Sequence, residues 1–372
     1  MMDFEPEPEQ LQLGDAATRF VRERCTFELW QGERAQGRAL GATLWPEFAA
    51  MGWLALPFAE ADGGFAAGPI ETMLLMQPLG RGLVGEPYLH GCVLAAALLH
   101  HSEPGATRSA RIEGLHSGNT RVAVAHGETA SRYALAQVGC RAQREGTRWR
   151  LTGSKALALG ADSANALIVS AAGDAGVTLF WIDADTPGLV RQRRALVDAN
   201  SGAELTLHDV LLDDSARVGA VGAGLTLMHD ASQQLLAAMG AEALGLMDLL
   251  LEQTMTYTST RRQFGQPVAR FQALRHRMVD MFMMAEQMRS LVLLATLRLA
   301  EGHADAPRAL AAMKVQLGQA GRYISQQAVQ LHGGMGMTDE IVVGHAFKRL
   351  LALDALWGNA DHHLQAFVAA SA

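Results

Sequence analysis

The chain has 372 residues, of which 49% are hydrophobic and 19% charged, a composition that suits a packed globular protein and excludes disorder. Its 31 basic and 38 acidic residues give a net charge of −7 with no Lys/Arg-rich block, which sets nucleic acid and anionic membrane aside as partners. Three widely spaced cysteines, an acidic start (MMDFEPEPEQ) unlike a signal peptide, and no uncharged apolar run of bilayer length predict a soluble cytoplasmic protein with free thiols.

Up to about residue 120 the pattern is helical. LGDAATRFVRERC, ALGATLWPEFAAMGW, GPIETMLLMQPLGRG and LHGCVLAAALLHH are separated by turns containing Gly and Pro. From Arg121 the periods shorten. RVAVAH, ALAQVGCRAQ, RWRLTG, NALIVSA, VTLFWIDA and AELTLHDVLL read as strands, which predicts a small antiparallel β domain over residues 121–217. VGAVGAG, Val218 to Gly224, reads as a joint, because the glycine register of a dinucleotide loop fails at Leu227.

Residues 218–372 return to long helices. Phe271, Leu274, Met278, Met281, Phe282, Ala285, Met288, Leu291, Val292 and Ala295 recur in helical steps, as do Leu310, Met313, Leu317, Ala320, Ile324, Ala328 and Leu331. The run from Leu235 to Leu251 is apolar nearly all round and belongs at the centre of a bundle. The expected class is therefore α+β and mainly α: an N-terminal helical domain (1–120), a central antiparallel β domain (121–217) and a C-terminal four-helix bundle (218–372). His100-His101 and His362-His363 are adjacent pairs that point to different faces of a helix, so no metal site is expected.

Two stretches suggest more than packing. In YTSTRRQFGQPVARFQALRH, Tyr257 to His276, a helix ends in paired arginines, an aromatic and a glycine. Arginine at a turn offers a planar fork of donors that suits phosphate oxygens, although the same residues also make an ordinary helix C-cap. In AVQLHGGMGMTDE, Ala328 to Glu340, Gly333-Gly334 would let backbone approach a ligand closely, and Gln330 supplies an amide; a plain tight turn has the same sequence.

Taken together with the domain order, RRQFGQPVARFQ and QLHGGMG resemble the two C-terminal motifs of the acyl-CoA dehydrogenase family, and LWPEFAAMGWLALPFAEADGG resembles its N-terminal segment. The resemblance implies FAD, an acyl-CoA substrate, α,β-dehydrogenation of the thioester, and an electron acceptor such as electron-transfer flavoprotein. It implies oligomers in which each flavin lies between two subunits, and it assigns FAD contacts to Arg261, Gln263, Phe264, Phe271, Gln272, Gln330, Gly333 and Gly334.

The family needs a carboxylate to take the α proton, and this chain departs from the pattern at that point. Counting forward from Gly333-Gly334 puts Trp357 at the usual base position, and an indole N–H only donates. Counting back from Phe264 puts Leu235 at the alternative position, with the amides Gln233 and Gln234 beside it. Asp354 is the weak substitute base, one turn before Trp357 and displaced by about 5 Å along a helix axis; Glu242 is farther from its own reference, Leu235. The family's flavin-facing Lys-x-Trp-Ile-Thr segment is replaced by Leu157, Ala158 and Leu159, and its Thr-Glu-Pro-like loop by AHGETASRY. The losses fall on the ring side of the flavin, the retained motifs on the adenosine side. By resemblance to heteromeric members acting on bulky thioesters such as steroid side chains, the chain is expected to be the subunit that completes the FAD site of a paralogous partner in a heterotetramer. The alternatives are a homo-oligomeric dehydrogenase using Asp354 and a non-catalytic scaffold subunit.

Overall fold

The structure, a computed structural model, describes residues 6–370, so the first half of the acidic start lies outside the described residues. The chain divides into two compact units, one of residues 1–36, 69–85 and 236–372, the other of residues 37–68 and 86–235. In chain order the first helices are α1 (Pro8–Arg24), α2 (Phe27–Ala35), α3 (Leu40–Thr43), α4 (Trp45–Ala50), α5 (Pro69–Arg81), α6 (Ala95–Leu99) and α7 (Ala106–His116). After the strands come α8 (Gly224–Thr260), α9 (Gln272–Ala300), α10 (Ala306–His332), α11 (Val342–Ala355) and α12 (Ala360–Ala369).

The first unit is helical, and α8 is its axis. Of the most apolar 18-residue window of α8, 83% is buried; the helix is long and apolar enough to cross a membrane, and this burial identifies it as a core helix. Close packing on α8 depends on glycine. A Cβ on Gly245 would lie 1.9 Å from the Gln77 carbonyl oxygen of α5, and one on Gly240 would lie 2.2 Å from Sδ of Met313 on α10. The predicted stripe of α10 is buried from Leu310 to Leu331. On α9 the outcome is divided. Met281, Ala285, Met288, Val292 and Ala295 face inward, whereas Phe282, predicted with them, is more than half exposed beside Val279 and Met283. A helix carrying apolar residues at both i+3 and i+4 can turn only one of two overlapping stripes to its own core.

The second unit is built on a sheet of β1 (Val122–Ala125), β2 (Arg141–Glu145), β3 (Arg148–Leu159), β4 (Ala166–Gly173), β5 (Gly176–Asp183), β6 (Leu189–Ala195), β7 (Ser201–Asp213) and β8 (Arg217–Val218). The order is β6-β7-β3-β2-β4-β5-β8, with β1 also on β4. The pairing is antiparallel except that β1, and β2 at one position, run parallel to β4. Trp149, Leu151, Phe180, Ile182 and Leu205 lie in its core. Two local readings change. The expected strand ALAQVGCRAQ is extended only from Arg141, because the carboxylate of Glu128 takes the N–H groups of Gly139 and Cys140 that a ladder would have used. β6, LVRQRRA, carries no apolar alternation and was not expected. It is an edge strand whose arginines reach outward, Arg194 to Glu204 and Arg193 to Asp162.

Candidate functional site

The helix end at Thr260 leads into a two-residue hairpin. Arg262 and Gln263 pair with Gln266 and Pro267, leaving Phe264 and Gly265 at the tip with φ of +52° and +80°. Two successive positive φ values are the geometry of a tight hairpin turn, cheap for glycine and strained for phenylalanine. That turn holds Phe264 out at 91% exposure, with Phe271 edge-on at 6.2 Å. The N–H of Arg261 still donates to Tyr257 O at 2.8 Å, and the Val268 N–H donates to Arg261 O at 2.8 Å. Arg261, Gln263 and Gln272 are exposed, and among the described residues Arg261 has no carboxylate within 4.0 Å.

The second segment follows α10. Gly333 takes φ of +61° and starts a short 3-10 turn through Met337. A Cβ at Gly333 or Gly334 would find nothing within 4 Å, so the backbone here is open to an incoming group, and Gln330 is exposed beside it. The two segments are tied by a pair the sequence reading passed over. His332 stacks on Tyr257 with ring centroids 4.5 Å apart and an interplanar angle of 25°. Burial pushes the His332 pKa down, and its Nδ1–H donates to Ala328 O at 2.8 Å, so a neutral imidazole lies on the phenol ring. An aromatic one turn before the first arginine was the available signal. All eight expected cofactor contacts therefore lie on the first unit. Seven are exposed, Phe271 is half-buried, and an anion-seeking guanidinium, a bare aromatic face and open glycine backbone suit a dinucleotide.

The places expected for a base hold none. Trp357 sits in a left-handed conformation, φ +57°, followed by Gly358 at φ +100°. Its carbonyl accepts from His363 Nε2–H at 2.9 Å. Lys314, fully buried, donates from Nζ to the carbonyls of Leu353, Asp354 and Leu356 at 2.7, 3.2 and 2.9 Å. Burial pulls its pKa down to about 7, against the opposing charge of Asp354. Asp354 is committed locally. Oδ1 accepts from the Ala360 N–H at 3.1 Å, at the start of α12, and Oδ2 lies 3.7 Å from Arg322. Leu235 is wholly buried, and Glu242 is locked in a buried two-pronged ion pair with Arg349 at 2.7 and 3.0 Å.

In the second unit the AHGETASRY loop is anchored from beneath. Lys155 Nζ, on β3, donates to Glu128 at 2.7 Å, to Ser170 Oγ at 3.0 Å and to His126 O at 3.2 Å. Ser170 Oγ–H in turn donates to His126 Nδ1 at 2.9 Å, and His126 Nε2–H donates to Leu135 O at 3.0 Å. Burial, reinforced by the Lys155 charge, drives the His126 pKa down to about 4 and keeps it neutral. Burial opposes ionisation of Glu128, but Lys155 and the two loop N–H groups outweigh it, leaving a carboxylate below its usual range. This acid is a fully bonded anchor. Beyond it on β3, Leu157 is part-exposed and Ala158 and Leu159 are buried.

The family models for the acyl-CoA dehydrogenase N-terminal and C-terminal domains match residues 7–108 and 222–371. The L-prolyl-(peptidyl-carrier protein) dehydrogenase of Serratia sp. is 27% identical over 355 residues, covering 91% of this chain and 90% of that protein. Among solved structures, a Tcur3481-Tcur3483 steroid ACAD variant is 29% identical with a TM-score of 0.85, covering 98% of this chain and 97% of the other. The ChsE4-ChsE5 complex from Mycobacterium tuberculosis is 25% identical with a TM-score of 0.88, covering 99% and 98%.

Proposed function

We propose that this chain, which belongs to the acyl-CoA dehydrogenase family of FAD-dependent oxidoreductases, works as the subunit that lends FAD contacts to a paralogous partner carrying the catalytic base. The observation that carries this reading is the pairing of the exposed Arg261, Phe264 and Gly333-Gly334 with Asp354 and Glu242 carboxylates that are otherwise engaged. Arg261 would neutralise pyrophosphate charge, Phe264 and Phe271 would give the dinucleotide an apolar face, and Gln330 with the Gly333-Gly334 backbone would hydrogen-bond it. FAD, when bound, supplies the hydride acceptor for oxidation of the acyl thioester. The α proton must go to a carboxylate, and neither Trp357 nor Leu235 offers one, so that group is assigned to the partner.

Two further features support a shared site. Val279, Phe282 and Met283 form an exposed apolar stripe on α9, suited to burial against another subunit. The Tcur3481-Tcur3483 and ChsE4-ChsE5 complexes are relatives of heteromeric form, and the steroid ACAD description of the first favours a bulky thioester as substrate.

The test is co-purification. Produced alone, the chain should carry little FAD and no dehydrogenase activity; co-produced with a paralogous subunit, it should yield a yellow complex. Arg261→Ala should lower the flavin content of that complex by about tenfold or more. Full flavin loading and turnover by the isolated chain would overturn the assignment.

A further inference from the structure

We infer that the second unit carries a site for a small oxyanion of the phosphate class, in the cavity at the N-terminus of α7. The cavity holds about 350 Å³ and is lined by Ser102, Glu103, Arg108, Arg111, Asp214 and Arg217, among others. It lies outside every motif assigned above to FAD.

The chain enters α7 through Gly105, whose φ of +154° suits glycine, and no side chain caps the helix there. Gly105, Ala106 and Thr107 line the cavity, and the first-turn N–H groups of this eleven-residue helix lack an intrahelical partner, with the positive end of the helix dipole behind them. A helix end alone would not mark a site, but its surroundings are specific. Ser102 lines the same cavity, is only 6% exposed, and its buried Oγ has no hydrogen-bond partner among the described residues. A buried hydroxyl left unpaired is costly unless a ligand or water completes it.

The charges are unevenly committed. Arg108 is gripped by both oxygens of Asp62. Arg217 holds both oxygens of Asp214, at 2.9 and 2.8 Å, and Asp214 also accepts from Trp149 Nε1 at 2.9 Å. Those two pairs neutralise themselves. Arg111 has no carboxylate within 4.0 Å among the described residues; it donates to Ser215 O at 3.0 Å and lies 5.0 Å over the Trp181 ring. Burial lowers its pKa, with only the more distant Asp183 opposing, so a desolvated cation lacks a counter-ion. Glu103, exposed on the rim and 3.9 Å from Arg217, is the remaining acid. A guanidinium without a counter-ion, orphan amides and an unpaired hydroxyl are the donor set of an oxyanion site.

The experiment is calorimetric titration of the full-length chain, or its complex with the partner, with inorganic phosphate at fixed ionic strength in chloride. Binding in the millimolar range or tighter is expected. Arg111→Gln should weaken it about tenfold or more, and Ser102→Ala a few-fold. Glu103→Gln should tighten it, since it removes the rim charge without touching packing. No heat with phosphate, or an affinity unmoved by all three changes, overturns the site. Should Arg111→Gln fail to fold, the opposite responses of Ser102→Ala and Glu103→Gln decide the matter alone: unchanged affinity in both rejects it. A parallel titration with AMP separates sources. Equal, Arg111-dependent binding means the phosphoryl group of a larger ligand, and binding of phosphate only means the free ion.

Discussion

Asp354→Asn separates a borrowed base from an unusual resident one. The amide keeps an oxygen that can accept from the Ala360 N–H, so the start of α12 survives, and what is lost is the 3.7 Å approach to Arg322, whose side chain is 63% exposed, together with a charge that favours the buried Lys314 ammonium. A screened ion pair of that kind is worth less than about 1 kcal/mol. Asp354→Ala removes the acceptor as well and should cost about 1 kcal/mol, on the scale of a lost helix cap. If Asp354 were the general base, the asparagine variant would lose about 10²–10⁴-fold in turnover with its fold and flavin intact. The borrowed-base reading expects a kcat within about twofold of the parent in the flavin-loaded complex, because nothing at the proton-transfer step changes. The assay is acyl-thioester-dependent dye reduction by that complex, with flavin absorbance and urea unfolding run alongside. A hundredfold fall in kcat at unchanged flavin content and unchanged unfolding midpoint would refute the reasoning.

Lys314→Met should abolish a pH dependence. The folded pKa of about 7 lies below the usual lysine value of 10.5, so between these pH values the unfolded chain binds more protons and wild-type stability rises with pH, by several kcal/mol at most. Urea unfolding across that window should show a flatter profile in the variant, offset by about 1–3 kcal/mol for the carbonyls left unbonded. Glu242→Gln strands Arg349 in the core and should destabilise the chain by about 3–5 kcal/mol, whereas replacing both with apolar residues should recover most of that loss in the same unfolding experiment. Tyr257→Ala removes the ring under His332; about 0.5–1.5 kcal/mol of stacking goes with it, and equilibrium dialysis should show the complex holding FAD several-fold more weakly.

Fold class and both C-terminal motifs could be read from the sequence because they depend on local pattern. A helix such as α10 declares itself by seven apolar positions at three- and four-residue steps, and the Gly333 turn by residue type alone. What escaped reading depended on partners distant in sequence. β6 has no apolar alternation because it is an edge, so only its pairing with β7 makes it a strand. The outward face of Phe282 is indistinguishable from an inward one until α9 is placed against its neighbours. Lys155 looks like a solvated strand residue, and only its contacts 27 positions away with Glu128 and 15 away with Ser170 make it an internal anchor. Composition likewise cannot reveal that Asp354 and Glu242 are already engaged. That Trp357 and Leu235 hold the two counted positions was visible in the sequence.

The geometry around Trp357 also bears on the proposed shared site. A non-glycine residue in the left-handed region costs on the order of 1–2 kcal/mol and persists only where its surroundings enforce it. Here the enforcement is threefold: Lys314 grips the carbonyls ahead of Trp357, His363 holds its own carbonyl, and Asp354 pins the start of the helix behind it. A segment freed from any duty would be expected to relax this strain, for instance by an inserted residue or by loss of the buried lysine. On the shared-site reading proposed above, this enforced shape belongs to a loop whose surface matters as a filled and proton-inert wall rather than a reactive one. That is the form expected of a subunit whose interface with its partner must be kept while its own chemistry is switched off.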